Sequence, residues 1–254
     1  MRSPALKTAA VLGVAALLYA WVASARETPV LMYHRISSSE SPSSLHVLPE
    51  DFEKQMEFLK VHRYRVVPLA ELAGRILEKK PVPPKTVAIT FDDGSLDNFQ
   101  NAFPVLKNMG FPATIFMITE NIGKEGWLSE EDLRILDESG IAIGSHTVTH
   151  AFLPELGTEK VAEELARSKK DLEKVLGHPV TLLSYPGGGV TRSVIEEAGK
   201  AGYQAAVTTN YGREKDNAYA MRRVKVSGKN GNLFRFWPKV SGYSQLGKKR
   251  IEIK

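Results

Sequence analysis

The 254-residue chain contains no cysteine. Disulfides, thiolate metal ligands, a cysteine nucleophile and a lipid-modified N-terminal cysteine are therefore excluded, while the compartment stays open. Internal repeats are absent, and the one biased segment is the serine-rich stretch 37–44, which reads as an exposed loop. The basic residues are dispersed and not interleaved with aromatics, so the pattern of a nucleic-acid-binding surface is missing too. At 43% hydrophobic and 25% charged the composition is that of a folded globular protein and not of a disordered one. The length fits a single α/β domain.

The first 25 residues stand apart. Arg2 and Lys7 precede an uncharged Ala-, Val- and Leu-rich run of 18 residues from Thr8 to Ala25. Ala23-Ser24-Ala25 then supplies the small residues of a cleavage site. The run is close to the roughly 20 residues a spanning helix needs. Residues 1–25 are thus expected to be a cleaved signal peptide or a single-span membrane anchor, with membrane association through residues 8–25 in the second case. Residues 26–254 are expected to form one extracytoplasmic catalytic domain. The formal net charge is +5, of which the leader's Arg2 and Lys7 account for two. Lys248, Lys249 and Arg250 make a short basic tail, read as a solvated terminus.

From Pro29 onward, short apolar runs alternate with longer amphipathic ones. Strands are expected over residues 30–33, 64–67, 86–91, 113–118, 141–144, 182–185, 203–207 and 221–226. Helices are expected over 49–60, 70–78, 96–109, 158–176, 191–201 and 232–239, and another begins at Ser129, where Ser129 and Asp132 have capping-box spacing. This alternation predicts parallel sheet with helical crossovers.

Chemistry-bearing residues follow the strands. Residues 30–33 run into His34, 86–91 into Asp92-Asp93-Gly94, 141–144 into Ser145-His146 with His150 beyond, and 182–185 into Pro186-Gly187-Gly188-Gly189. In parallel α/β folds the C-terminal strand ends share one face, where sites are built. His146 and His150 lie one turn apart if their segment is helical, and with Asp93 they form a two-His, one-carboxylate set for a divalent metal. Zinc suits such a set, as do cobalt, nickel and iron. Asp92 and Asp93 are adjacent in extended backbone, so one can bind the metal while the other takes a proton from water. Each of these features has an ordinary structural reading when taken alone, and it is their recurrence at successive strand ends that points to a site. His46, His62 and His178 sit in loops or at a polar helix end and are not expected to be ligands.

Thr90-Phe91-Asp92-Asp93-Gly94 and Ser145-His146-Thr147-Val148-Thr149-His150 resemble the first two motifs of the NodB-type polysaccharide deacetylases, carbohydrate esterase family 4. The resemblance implies a distorted (β/α) barrel of about seven parallel strands and hydrolysis of N-acetyl groups on an amino-sugar polysaccharide. It also implies Asp92 as base, and Asp93, His146 and His150 as ligands of zinc or another divalent metal. Pro29-Val30-Leu31-Met32-Tyr33-His34-Arg35-Ile36 resembles the permuted poly-N-acetylglucosamine deacetylase branch, in which the acid histidine comes early. No histidine follows His178, so His34 is the candidate acid. Two departures from the family pattern stand out. The standard third motif supplies an Arg that orients the base, and Ser184-Tyr185-Pro186-Gly187-Gly188-Gly189 has none. Gly187 also occupies the place of a second Tyr, which leaves Tyr185, Pro186 and Gly187 as the expected oxyanion and substrate-binding segment. A glycan polymer is the expected partner, with no nucleic acid and a monomeric chain. O-deacetylation of an acetylated glycan, or glycan binding without turnover, stay open as alternatives.

Overall fold

Thr86–Phe91, which forms β5, is the strand the rest of the sheet is laid on, and all six of its residues are buried. Successive side chains of a strand point to opposite faces. Val87, Ile89 and Phe91 pack outward in the main core, against helix residues such as Phe52, Met56 and Leu106. Ala88 faces the other way, into a second cluster with Val30, Phe116, Leu182, Ala205 and Val207. By the same alternation Thr90 and Asp92 continue the inward row toward the strand's C-terminal end.

The computed structural model describes residues 27–38, 45–209, 217–228, 232–244 and 253. The leader, residues 39–44 of the serine-rich stretch and the basic residues 248–250 lie outside them. In chain order the strands are β1 (Val30–Tyr33), β2 (Arg35–Ile36), β3 (His46–Val47), β4 (Arg65–Val66), β5, β6 (Ala113–Met117), β7 (Ile141–Ser145), β8 (Leu182–Ser184), β9 (Ala205–Thr208), β10 (Met221–Arg222) and β11 (Val224–Lys225). The α-helices are α1 (Pro49–Val61), α2 (Leu69–Leu77), α3 (Phe103–Met109), α4 (Glu130–Glu138), α5 (Thr158–Leu176), α6 (Arg192–Lys200) and α7 (Leu233–Val240).

The main sheet runs β10-β9-β8-β7-β6-β5-β1-β11, with β4 added alongside the start of β5. Its pairings are parallel. The two ends of this order, β10 and β11, are separated in the chain by Arg223 alone. The Arg223 N–H donates to Thr208 O on one side of the seam, and the Val226 N–H donates to Met32 O on the other. A single residue can bridge the two edges only if the sheet has curled until they meet, so the architecture is the expected (β/α) barrel, nearly closed. Eight strands in the curl instead of about seven is a minor difference.

Small residues make room inside the barrel. A Cβ at Gly144 on β7 would come within 2.6 Å of the Phe116 ring, so any larger residue there would push the interior apart. The apolar cluster fills the lower barrel, with Leu69, Leu72 and Ala73 of α2 packed into it. The upper barrel holds Thr90, Asp92, Ser184, His146 and Arg223, all buried.

Three local expectations are corrected. The segment expected as one strand over 221–226 is two strands broken at Arg223, because its halves pair with opposite sheet edges. The helix expected over 96–109 opens with a π-helical turn, Asn98–Ala102, before α3. There Asn98 Nδ2 donates to His34 O at 2.7 Å and Asn101 Nδ2 to Ile36 O at 2.7 Å, which ties the turn to the strand end carrying His34. Third, residues 146–150 are not helical, as described next. The capping box on α4 forms as expected: Ser129 Oγ accepts from Asp132 N–H, and the Asp132 carboxylate accepts from Ser129 N–H.

Candidate active site

Asp92 and Asp93 leave β5 in opposite directions, and their surroundings make them chemically different. Asp92 ends the inward-facing row and is 3% exposed. Arg223 reaches it from the barrel seam as a fork, Nη1 to Oδ1 at 2.6 Å and Nη2 to Oδ2 at 2.6 Å. Ser184 Oγ donates to the same carboxylate at 3.2 Å and accepts from Arg223 Nη2 at 2.9 Å. Arg223 Nη1 also bonds Thr90 Oγ1 at 3.2 Å, and the guanidinium lies 5.7 Å from the centre of the Phe116 ring. Burial alone would raise the Asp92 pKa. The Arg223 charge, the field of His146 and the Arg223 hydrogen bonds outweigh it and hold the carboxyl well below its usual range. The result is an oriented, ionised carboxylate at the barrel mouth.

Asp93 turns the other way, with a left-handed φ of 75°, followed by Gly94 at φ 84°. A Cβ on Gly94 would sit 2.0 Å from Met117 Sδ, so this turn against β6 needs glycine. The turn presents Asp93 Oδ1 at 3.6 Å from His146 Nε2 and 3.8 Å from His150 Nε2. One ligand-type atom from each of these three residues lies within 4.8 Å of the others.

The His146 ring is set by its other nitrogen. Nδ1 lies 2.8 Å from Ser184 O, and a carbonyl only accepts, so Nδ1 carries the hydrogen. Burial pushes the ring's pKa down, against the opposing charges of Asp92 and Asp93, so the ring is neutral near pH 7. Its Nε2 lone pair is then directed at the Asp93 side, as a ligand requires. His146 thus sets a neutral nitrogen beside the Asp93 carboxylate, which is not an ion pair.

His150 arrives by a loop and not by the helical turn that its spacing suggested. Thr147 and His150 both have left-handed φ, 66° and 63°. The Thr147 N–H donates to Ser145 Oγ and the His150 N–H to Thr147 Oγ1, each at 3.1 Å. Glu164 on α5 holds the loop from outside, accepting from Val148 N–H at 2.8 Å, Thr149 N–H at 3.0 Å and Thr149 Oγ1 at 2.8 Å. Two left-handed non-glycine residues in one loop persist only where the surroundings fix them. Glu164→Ala is therefore expected to weaken metal affinity about 10- to 100-fold, as loss of an outer partner of a metal ligand does. Competition with a chelator measures this, and an unchanged affinity would show that the loop holds itself.

His34, at the end of β1, lines a cleft of about 600 Å³ together with Gly187 and Arg223. Its Nδ1 is buried without a hydrogen-bond partner among the described residues. Burial lowers its pKa, the Asp92 and Asp93 charges oppose that, and Arg223 and Lys225 add to it. Tyr185 is fully buried, and its N–H is used on Val207 O. Pro186 is buried and has no N–H to offer. Gly187, at φ 60°, is the member of the segment that is exposed and reaches the cleft. The remaining histidines have other work. His46 Nδ1 meets Ser37 Oγ, the His62 ring stacks on Phe58, and His178 Nε2 meets Asp137 Oδ2 at 2.7 Å.

Sequence reasoning missed Arg223 and Glu164. A signal for Arg223 existed: it interrupts the apolar positions of a short strand, where an unpaired guanidinium could not be buried. Its partner stands 131 residues earlier, and nothing local identifies it.

With the geometry in place, the chain can be set beside known proteins. Residues 79–206 match the family model described as polysaccharide deacetylase. YxkH of Bacillus subtilis, named as a polysaccharide deacetylase, is 39% identical over 220 residues, covering 85% of this chain and 78% of its own. A poly-β-1,6-N-acetyl-D-glucosamine N-deacetylase of Staphylococcus epidermidis is 29% identical over 208 residues, covering 76% of this chain and 72% of its own. The crystal structure of the polysaccharide deacetylase BA0330 of Bacillus anthracis superposes with a TM-score of 0.73 at 36% identity, covering 85% of this chain and 69% of that one. The chain belongs to the polysaccharide deacetylase family and is an enzyme of that class.

Proposed function

We propose that this enzyme removes N-acetyl groups from an amino-sugar polysaccharide of the poly-N-acetylglucosamine, peptidoglycan or chitin-like type and releases acetate, with a divalent metal at Asp93, His146 and His150. The observation that carries the reading is the division of labour between adjacent aspartates, one clamped by Arg223 and one grouped with two imidazoles. The donor set fits a metal: two imidazole nitrogens and one carboxylate oxygen converge, and the His146 tautomer leaves its lone pair on the converging side. When bound, such an ion acts as a Lewis acid and lowers the pKa of water.

The chain's own groups supply the rest. Asp92, ionised and fixed at both oxygens, takes the proton from the attacking water. The water oxygen bonds to the acetamide carbon, and the developing oxyanion faces the backbone at Gly187, on the cleft wall. The C–N bond then breaks. His34 gives the departing nitrogen its proton. The Staphylococcus relative named for N-deacetylation supports the amide reading. The uncharged run from Thr8 to Ala25 supports a location outside the cytoplasm, where such polymers lie.

Metal analysis of the purified protein, followed by acetate release from N-acetylglucosamine oligomers and O-acetylated sugars with and without chelator, tests this reading. About one equivalent of metal, chelator-sensitive release from the N-acetyl substrates and a loss of about 10²- to 10⁴-fold in His34→Ala are expected. Release from O-acetyl sugars alone would turn the reading to an esterase. Glycan binding without release from any of them would turn it to a silent binding protein.

A further inference from the structure

A single exposed apolar side chain calls for no explanation, but Phe152, 45% exposed, has a seat built for it. A Cβ at Gly189 would come within 2.3 Å of Phe152 Cε2 and 2.8 Å of Cδ2, and one at Gly187 would meet Cδ2 at 3.4 Å. One edge of the ring therefore lies along the glycine turn. Gly189 has an ordinary φ of −69°, so its backbone would accept any L-residue. The ring, with Pro154 Cδ beside it, is what leaves no room for a side chain there. Burial does not explain the contact: the neighbouring Leu153 is fully buried and anchors the segment, while Phe152 keeps nearly half of its surface in solvent. The Phe152 C=O accepts from the Glu155 N–H at 3.1 Å, which fixes the backbone beneath the ring.

The seat is on the rim of the site. Gly187 lines the cleft with His34 and Arg223, and Phe152 follows His150 by two residues, a reach of at most about 7 Å between their Cα atoms. The His150 side chain is itself 45% exposed. A side chain at 187, the place of the missing Tyr, would meet this ring, so the aromatic surface absent from the turn stands beside it on the segment that carries His150. A β-linked glucosamine polymer holds its ring substituents equatorially, so each pyranose offers faces of axial C–H bonds. Their hydrogens are polarised positive by the attached oxygens, and the face of an aromatic ring is negative. We propose that Phe152 is a substrate-positioning residue on which a pyranose of the polymer stacks, holding the chain while an acetamide enters the site. This rests on the deacetylase reading above and adds to it the surface that recognises sugar.

Three variants of the full chain separate stacking from packing. Phe152→Ala removes the ring, Phe152→Leu keeps apolar bulk on the glycine turn without a flat face, and Phe152→Tyr keeps the face. With a β-linked N-acetylglucosamine tetramer, Phe152→Ala and Phe152→Leu are expected to raise KM about tenfold. The loss falls on KM and not on kcat, the mark of binding shared by ground and transition states. Phe152→Tyr stays within about twofold of the parent, since the face is retained. Direct binding of the tetramer in the Asp92→Asn background, where it is consumed too slowly to interfere, follows the same order. There the axial protons of one sugar face shift upfield under the ring current, and Phe152→Leu abolishes the shift. Bound metal is the same in all three variants. Unchanged KM and Kd in Phe152→Ala overturn the proposal, as does a Phe152→Leu protein that binds like the parent. So does a loss of kcat and metal with Kd intact, which would make the ring a support for the segment carrying His150. Tetramer binding in the expected order without acetate release from any substrate leaves the stacking residue standing and removes the deacetylase reading. Release from the tetramer with no dependence on Phe152 does the reverse.

Discussion

Asp92→Asn is expected to lower the rate of acetate release by about 10²- to 10⁴-fold, the usual worth of a positioned general base, while leaving bound metal unchanged. The amide matches the carboxylate in shape and can still meet Ser184, so the pocket keeps its form, but it cannot accept the proton of an attacking water. Asp93→Asn is expected to behave differently although it changes the neighbouring residue in the same way. Asp93 Oδ1 stands between the two imidazoles, so that variant loses metal affinity, and excess metal restores part of its activity. The pair of measurements, metal content and rescue by added metal, separates a base from a ligand where activity alone would not. If Asp92→Asn kept more than about a tenth of the activity, or were rescued by metal, the roles would be wrongly divided between the two residues.

What the sequence revealed and what it hid follow from the range of the interactions involved. β5 and α5 end where apolar periodicity says they end, because burial of one face is decided locally. The three residues of the candidate metal site were legible because they follow strand ends on a face that parallel sheets present in common. The conformation carrying His150 was not. A spacing of four fits a helical turn and a tight loop equally well, and the choice is made by Glu164, which stands on a different element. The seam was hidden for the same reason. Residues 221–226 read as one strand until the sheet is known to curl, and only then must the chain step from one edge to the other at Arg223. That step places a guanidinium on Asp92, so the carboxylate is held from the seam although residues 184–189 carry no Arg.

Arg223→Met gives the second large effect, and it is one of stability as well as rate. Both members of the pair are buried, with side-chain exposures of 0% for Arg223 and 4% for Asp92. Removing the cation leaves a carboxylate in a site that by itself disfavours its charge. Breaking a buried pair in this way costs about 3–5 kcal/mol, which for a chain of this size lowers Tm by about 6–20 °C near pH 7. The pH dependence fixes the cause. In the native protein the folded-state pKa of Asp92 is depressed, so its contribution is fully present above the unfolded value of about 3.9 and is lost as pH falls from there toward the folded value. In the variant the sign reverses. Burial without Arg223 raises the Asp92 pKa, the penalty is present at neutral pH, and it is relieved as the carboxyl takes up a proton. The Tm gap between the two proteins, measured with chelator present so that metal release does not enter, should therefore be widest near pH 7, narrow toward pH 4 as the variant's carboxyl takes up its proton, and close only below that, as the native Asp92 is protonated too. Arg223→Lys restores charge without the two-pronged geometry, so it should recover more of the stability than of the rate. A gap that stayed constant with pH would mean that Arg223 acts by packing against Phe116 and not by holding the Asp92 charge.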